Sequence, residues 1–190
     1  TSTTPIETLF LGTPRATFAA ESTRRAAAYA IDRTAVSGAY SPALQPSDTF
    51  LSPLVAGAVD HDVYPLDGSG QATALALLDG ATPAISLCYP VSAARTAAAG
   101  LLETQLEAAG FVVTQEPYAS ASEFFNVVVP DSSRCDLRLF GASPGYPDPA
   151  ALLPVLFDGD PDGALNRSFF DDPAFNARFD AAAATTDESA

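Results

Sequence analysis

The chain has 190 residues, 47% of them hydrophobic, which is enough for one compact core. Its 23 acidic residues outnumber 9 basic ones, all arginine, and the net charge of −14 disfavours nucleic acid as a partner. The sequence contains no run of about eighteen apolar residues that would span a membrane. Its N-terminal segment lacks the basic and apolar regions of a signal peptide, as a mature chain would.

The first third of the chain predicts a strand, a helix and a long loop. Residues 5–12 are predicted as a strand, and 13–20 as a connector. A helix is predicted from Glu21, where an acidic residue suits the helix dipole, to Gly38. The next segment, 41–66, contains four prolines and predicts an irregular loop. A loop of this length usually has a functional or packing reason.

The middle of the chain alternates between helical and strand patterns. Short apolar runs predict strands, and capping residues with helical spacing predict helices. The predicted order is helix 68–78, strand 84–89, helix 93–109, strand 111–114, helix 120–128 and strand 136–140. Strands that alternate with helices over short links form parallel sheets with right-handed crossovers. We therefore predict an α/β fold whose core, residues 84–141, is a βαβαβ parallel sheet flanked by helices.

The C-terminal part is predicted as a Gly/Pro-rich loop over 141–149, an apolar helix over 150–157 and a last helix over 173–183. The only two cysteines, Cys88 and Cys135, match neither a zinc pattern nor a redox motif. They lie on the first and third predicted strands of the βαβαβ unit, which are usually neighbours, so a disulfide is one interpretation. The other is two buried apolar residues, because neighbouring parallel strands strain such a bridge.

Several stretches are similar, in the same order, to motifs of the oligopeptide-, dipeptide- and nickel-binding family of extracellular solute-binding proteins. These are T-R-R-A-A-A-Y-A-I-D-R at 23–33, Y-P-L-D at 64–67, L-E-A-A-G-F-V-V at 106–113, Y-P-D-P at 146–149, N-R-S-F at 166–169 and D-P-A-F at 172–175. Each motif alone is weak, but together they cover nearly the whole chain. The chain resembles the C-terminal lobe of that family.

The resemblance implies a periplasmic-binding-protein-like lobe at 1–190, with a hinge-proximal strand and connector at 1–20. It implies an extracellular or cell-surface protein that closes on a small or peptide-like solute. Its partners would be the first lobe of the same protein and an ABC permease. The alternative is a cytoplasmic sensory module of a transcription regulator, because the same fold occurs there. Neither function requires a cofactor.

Ligands of open parallel sheets bind at the carboxyl ends of the strands. The candidate ligand-binding residues there are Tyr89, Ser92, Arg95, Ser143, Pro144, Gly145 and Tyr146. Arg95 is expected either to neutralise an anionic group of the ligand or to lie solvated in the first turn of its helix. The two tyrosines are expected either to stack on a ligand or to pack under a loop.

Peptide-binding members of the family carry an aspartate in a G-W-x-x-D-Y-P-D-P pattern, where it pairs with the α-amine of the ligand. Gly145 stands at that position, and Asp148 matches a structural Asp-Pro turn instead. A buried ammonium without a carboxylate is costly. The sequence therefore disfavours ligands that depend on a free amine.

Enzymatic activity is not expected. The chain has no G-x-S-x-G elbow, no P-loop and no G-x-G-x-x-G motif. His61, the only histidine, lies between two aspartates but has no second histidine or cysteine nearby, so it is predicted to be a solvated loop residue and not a metal ligand.

Overall fold

The computed structural model describes residues 6–51, 58–59, 61–128, 130–142, 153, 157, 166 and 168–184. Within these ranges the chain forms four strands and seven helices of four or more residues. They are β1 (Ile6–Leu11), α1 (Ala16–Ala19), α2 (Glu21–Ala30), α3 (Arg33–Tyr40), α4 (Gln71–Leu78), β2 (Ala84–Pro90), α5 (Ala93–Ala108), β3 (Val112–Tyr118), α6 (Ala121–Val127), β4 (Leu137–Ala142) and α7 (Pro173–Ala183).

The strands form one sheet in the order β1-β4-β2-β3. Strands β4, β2 and β3 run parallel, while β1 pairs antiparallel with β4 at one edge. The predicted α/β class and the βαβαβ core are confirmed, with the first and third strands of the unit as neighbours. The hinge-proximal role of 1–20 stays a prediction.

Each face of the sheet packs against a different core. The first face carries an aliphatic, alanine-rich cluster under α2, α4 and α5, in which Leu87, Leu102 and Leu137 are almost fully buried. The second face carries a smaller cluster, to which α6 and its C-cap contribute. Its members are mostly aromatic or sulfur-containing: Phe10, Cys88, Phe124, Val128, Cys135 and Phe140. Small alanine side chains let helices approach closely, and burial of the leucines supplies apolar stabilisation of about 25 cal/mol per Å².

The prediction of one continuous helix from Glu21 to Gly38 is wrong. The structure breaks it at Ile31 and Asp32 into α2 and α3. The Asp32 carboxylate accepts a hydrogen bond from the Ala35 amide at 2.8 Å and so begins a new helix. Its own amide donates to the Gln105 side chain of α5 at 3.0 Å. Aspartate favours such capping over a helix interior, and this contact to α5 fixes the break.

Smaller differences concern the ends of the elements. The connector at 13–20 contains the short helix α1, and β3 extends to Tyr118, four residues beyond the predicted strand. Pro117 is tolerated there because β3 lies at an edge of the sheet. Of the helix predicted at 150–157, only Leu153 and Phe157 lie within the described residues, whereas α7 confirms the last predicted helix.

The irregular segment after α3 is attached to the helices in its described part. The Asp48 carboxylate accepts hydrogen bonds from the amides of Val63 and Tyr64 at 2.7 and 3.1 Å. Tyr64 in turn packs against Tyr29 of α2 and lies under the guanidinium of Arg33. These contacts give the loop a packing role. Among the described helices, none combines the length and apolarity needed to cross a membrane.

Candidate functional site

The candidate site lies at the carboxyl end of the parallel strands, where β2 leads into α5 and where β4 ends. Because β1 is antiparallel to β4, its first residues reach the same end, and Glu7 pairs in register with Gly141. A side chain at Gly141 would approach the Glu7 carboxylate to 2.8 Å. Glycine at this position therefore lets the Glu7 side chain lie across the end of β4.

Ser92 is the N-cap residue of α5. Its hydroxyl oxygen accepts a hydrogen bond from the Arg95 amide at 3.1 Å, which satisfies one of the free donors in the first turn. The side chain is partly exposed. Ser92 therefore has a structural role at the strand end that sequence reasoning had assigned to the ligand site.

Arg95 forms an ion pair with Glu7. One guanidinium nitrogen lies 2.8 Å from Glu7 Oε1 and Arg95 Nε lies 3.4 Å from Oε2, so the contact is bidentate. The two side chains are 23% and 24% exposed, so the pair is accessible from solvent. Arg95 is therefore not a freely solvated residue, and any anionic ligand group would compete with Glu7 for it.

Tyr40, at the end of α3, lies beside this pair. Its hydroxyl is buried, near both charged groups, but meets the geometry of a hydrogen bond with neither. Burial, and then the negative charge of Glu7, raise the pKa of Tyr40 above its ordinary value. The phenol stays neutral at physiological pH and remains a potential donor at the carboxyl end.

Tyr89 lies in the core and not on the open edge. Its side chain is 2% exposed and its hydroxyl donates to Gln115 Oε1 at 2.7 Å. The side-chain amide of Gln115 in turn donates a hydrogen bond to the Glu103 carboxylate at 2.7 Å, so a chain of hydrogen bonds links β2, β3 and α5. The structure thus places Tyr89 as a packing residue, the alternative that was considered beside ligand stacking.

The other candidates, Ser143, Pro144, Gly145 and Tyr146, lie outside the described residues. Gly141 and Ala142 at the end of β4 are described, and they bring the chain to the same end of the sheet as Ser92 and Arg95. His61 is exposed.

The two cysteines are joined in a disulfide, with their Cα atoms 6.1 Å apart. Cys88 faces the second side of the sheet, and Cys135 lies in the turn just before β4. Cys135 precedes the part of β4 that pairs with β2. Its backbone is therefore free of the parallel-strand geometry that would have strained the bridge.

At the amino end of the parallel strands, a saturated polar network surrounds Asp136, which is 3% exposed. Its carboxylate accepts hydrogen bonds from Arg15 Nε at 3.0 Å and from the Ser86 amide and hydroxyl at 3.0 and 2.9 Å. Burial alone would raise the pKa of Asp136, but the bonds from Arg15 and Ser86 outweigh it and hold the pKa below its usual value.

An open depression of about 320 Å³ also lies toward the amino end, lined by Thr13, Pro14, Arg24, Phe169, Phe170 and Asp171. Its one guanidinium already donates to the carbonyl oxygens of Phe18 and Ala19, at 2.7 and 2.8 Å. The Asp171 carboxylate accepts from Asn176. The charged groups of this depression are thus engaged in the fold, and the carboxyl end remains the better candidate site.

Sequence reasoning missed Glu7, Tyr40 and Asp136. Glu7 is a strand residue 88 positions from Arg95, and no local pattern connects the two. Asp136 was read only as the first residue of a strand. A charged residue in a largely apolar strand was the one available signal, because such a residue is buried only when it is paired.

The sheet and its helices have the fold of part of the solved ABC substrate-binding proteins. No family model and no curated protein matches the sequence. The chain resembles the oligopeptide-binding protein AppA from Bacillus subtilis, solved with a nonapeptide, at 17% identity and a TM-score of 0.82; the match covers 98% of this chain and 40% of that one.

Two further solved structures extend the comparison. The ABC transporter substrate-binding protein CtaP from Listeria monocytogenes matches at 20% identity and a TM-score of 0.82, over 98% of this chain and 40% of that one. AgaA from A. tumefacien R10, in complex with agropinic acid, matches at 22% identity and a TM-score of 0.80, over 98% of this chain and 39% of that one. The chain thus spans about two fifths of the length of these binding proteins, and the likeness is one of fold.

Proposed function

We propose that this chain is a ligand-binding lobe of an extracellular solute-binding protein that delivers a small or peptide-like solute to an ABC importer. The observation that carries the proposal is the fold match. Nearly the whole chain superposes on proteins of this class, while three fifths of their length has no counterpart in it. The remaining part of such a protein would form the opposite wall of the cleft.

The geometry of the carboxyl end supports this function. The strand ends and the start of α5 form an edge that carries an accessible ion pair and a buried neutral phenol. A solute that touches both this edge and a second lobe would stabilise the closed arrangement of the two. The proposed ligand-binding residues are Ser92 at the N-cap of α5, Arg95 in its first turn, and Ser143, Pro144, Gly145 and Tyr146 after β4.

The proposed ligand class follows from charge. Arg95 is already neutralised by Glu7, and Gly145 offers no carboxylate for an ammonium group. The neighbours differ in what they hold, since one contains a nonapeptide and another contains agropinic acid. We therefore propose a peptide-like or modified solute whose binding does not depend on a free amine.

The test is calorimetry on a longer protein that contains this chain together with the sequence preceding it. Saturable binding of a solute from a panel of peptides that also includes agropinic acid is expected. The 190-residue chain alone should show no saturation at concentrations that saturate the longer protein, because one wall of the cleft is absent. Tight and specific binding by the 190-residue chain would contradict the proposal.

The ligand class is tested by comparing free and N-acetylated forms of each bound peptide. Equal affinity is expected for the native protein, whereas Gly145→Asp should create a preference for the free amine. Loss of binding on acetylation in the native protein would overturn the proposed class. The sequence upstream separates the two roles: a secretion signal followed by a lipid-anchor cysteine supports transport, and a helix-turn-helix supports a sensory module.

A further inference from the structure

Three side chains that can ligate a metal lie together on the second face of the sheet, away from the candidate ligand edge. Cys88 on β2 and Glu116 on β3 are partners in the strand register, and neighbouring residues of parallel strands point to the same side. Cys135 reaches the same place from the turn before β4. The two sulfur atoms and a Glu116 carboxylate oxygen all lie within 4.8 Å of one another.

The distances fit a tetrahedral centre with soft donors. In such a centre Zn–S is about 2.3 Å and Zn–O about 2.1 Å, which places sulfur and oxygen ligands about 3.6 Å apart. The observed distance from Cys88 Sγ to Glu116 Oε2 is 3.7 Å. The two sulfur atoms would have to separate to about 3.8 Å. The Glu116 carboxylate already lies at the distance from Cys88 Sγ that a third ligand requires.

The surroundings also suit a metal held by thiolates. Two thiolates, one carboxylate and one divalent cation carry a net charge of −1. Arg138 on β4 is the register partner of Cys88 and is fully buried, so the same row of the sheet also carries a basic residue. Phe124 and Val128 cover the sulfur atoms with apolar surface, while half-buried Glu116 provides contact with solvent. The sulfur atoms are thus enclosed, and Glu116 connects the site to solvent.

We propose that the dithiol form of this chain binds one thiophilic divalent cation, of the zinc and cadmium type, through Cys88, Cys135 and Glu116. Thiolate ligands select such metals over magnesium or calcium. The disulfide form does not bind, because the negative charges of the thiolates are absent and neutral disulfide sulfur atoms are weak ligands. This inference does not depend on the proposed transport function.

The conversion is balanced with a phosphine as the reductant. The phosphine attacks the disulfide and breaks the S–S bond, and one water molecule supplies the oxygen of the phosphine oxide and the two protons of the thiols. The cation then replaces both thiol protons and forms two metal–sulfur bonds, releasing two protons to solvent. Since both sulfurs are buried, reduction of the folded chain is expected to be slow.

The experiment titrates the reduced chain with cadmium chloride. The chain is reduced with the phosphine, and the phosphine is then removed by gel filtration in the absence of oxygen. A thiol assay should show two thiols per chain before the titration begins. One Cd²⁺ per chain should then bind, seen as a thiolate-to-cadmium absorption in the ultraviolet and as loss of thiol reactivity. The unreduced chain should show neither signal.

Glu116→Gln tests the third ligand, with exposed Glu107→Gln on α5 as the matched control. Glu116→Gln should weaken Cd²⁺ binding by roughly tenfold or more, and Glu107→Gln should leave it unchanged. Unaltered affinity in Glu116→Gln, or no binding by the reduced chain, would overturn the proposal. If the reduced chain loses its circular dichroism, Cd²⁺ should restore the native spectrum. Failure to restore it would be equally decisive against the site.

Discussion

The two ends of the parallel strands are built in opposite ways. At the amino end, the buried Asp136 carboxylate has its hydrogen bonds saturated by Arg15 and Ser86. At the carboxyl end, the Arg95–Glu7 pair is about one quarter exposed and the Tyr40 hydroxyl makes no hydrogen bond within the described residues. Saturated buried groups hold strands in place, whereas accessible ones remain available to a ligand. One end is thus a structural anchor, and the other is suited to binding.

The largest effect is expected at the amino end. Asp136→Ala should lower the free energy of unfolding by about 3 kcal/mol, because it leaves the Ser86 amide and hydroxyl and the Arg15 guanidinium without their buried acceptor. Exposed Glu107→Ala serves as the control and should change it by less than about 0.5 kcal/mol. Urea unfolding followed by circular dichroism measures both. A loss of under about 1 kcal/mol for Asp136→Ala would mean that the network does not anchor the strands.

Acid should weaken the same end selectively. Because the pKa of Asp136 is lower in the folded chain than its unfolded value of about 3.9, its stabilisation is fully present above that value. It is lost as the pH falls from there through the folded pKa. In urea unfolding between pH 6 and pH 3, the free energy of unfolding should fall more steeply for the native chain than for Asp136→Asn. Parallel curves for the two would contradict it.

A smaller effect is expected from the helix cap at the carboxyl end. Ser92→Ala should cost about 1 kcal/mol, because the first turn of α5 loses the acceptor for the Arg95 amide. Ser120→Ala, which removes the equivalent cap of α6, is the matched comparison and should cost a similar amount. Ser92→Asp should retain stability, since aspartate caps equally well. Equal stability of Ser92→Ala and the native chain would rule out the cap as the role of Ser92.

The smallest effect on stability is expected from the ion pair. A double-mutant cycle with Arg95→Gln and Glu7→Gln should give a coupling free energy below about 1 kcal/mol, because both side chains are partly exposed. In the longer protein, Arg95→Gln should reduce affinity for anionic solutes and spare neutral ones. A coupling of several kcal/mol would make this end an anchor like the other and remove the contrast between them.

Patterns within one segment predicted much of the fold. Helix and strand periodicity identified β2, α5, β3, α6 and β4 because each element depends on residues a few positions apart. The break at Asp32 was missed, although its capping preference was visible. Its outcome depended on Gln105, 73 residues away on α5, whose side chain binds the Asp32 amide.

The candidate site was predictable in its location but not in its contacts. The rule that ligands meet the carboxyl ends of parallel strands pointed to Ser92 and Arg95 from the order of elements alone. It could not show that Tyr89 turns into the core toward Gln115, or that β1 returns to bring Glu7 to Arg95. Those contacts depend on the face of the sheet to which each side chain points, and strand pairing in the folded chain is what fixes that face.

The sequence by itself determined the α/β class, the parallel βαβαβ unit and the absence of an enzymatic motif, since these follow from composition and short-range spacing. Only the tertiary structure decided the partners of the charged groups and the disulfide between Cys88 and Cys135. Glu116 and Cys135 lie 28 and 47 positions after Cys88 in the chain, yet the three residues meet on one face. Strand order and register bring such distant residues together, and no local pattern encodes either of them.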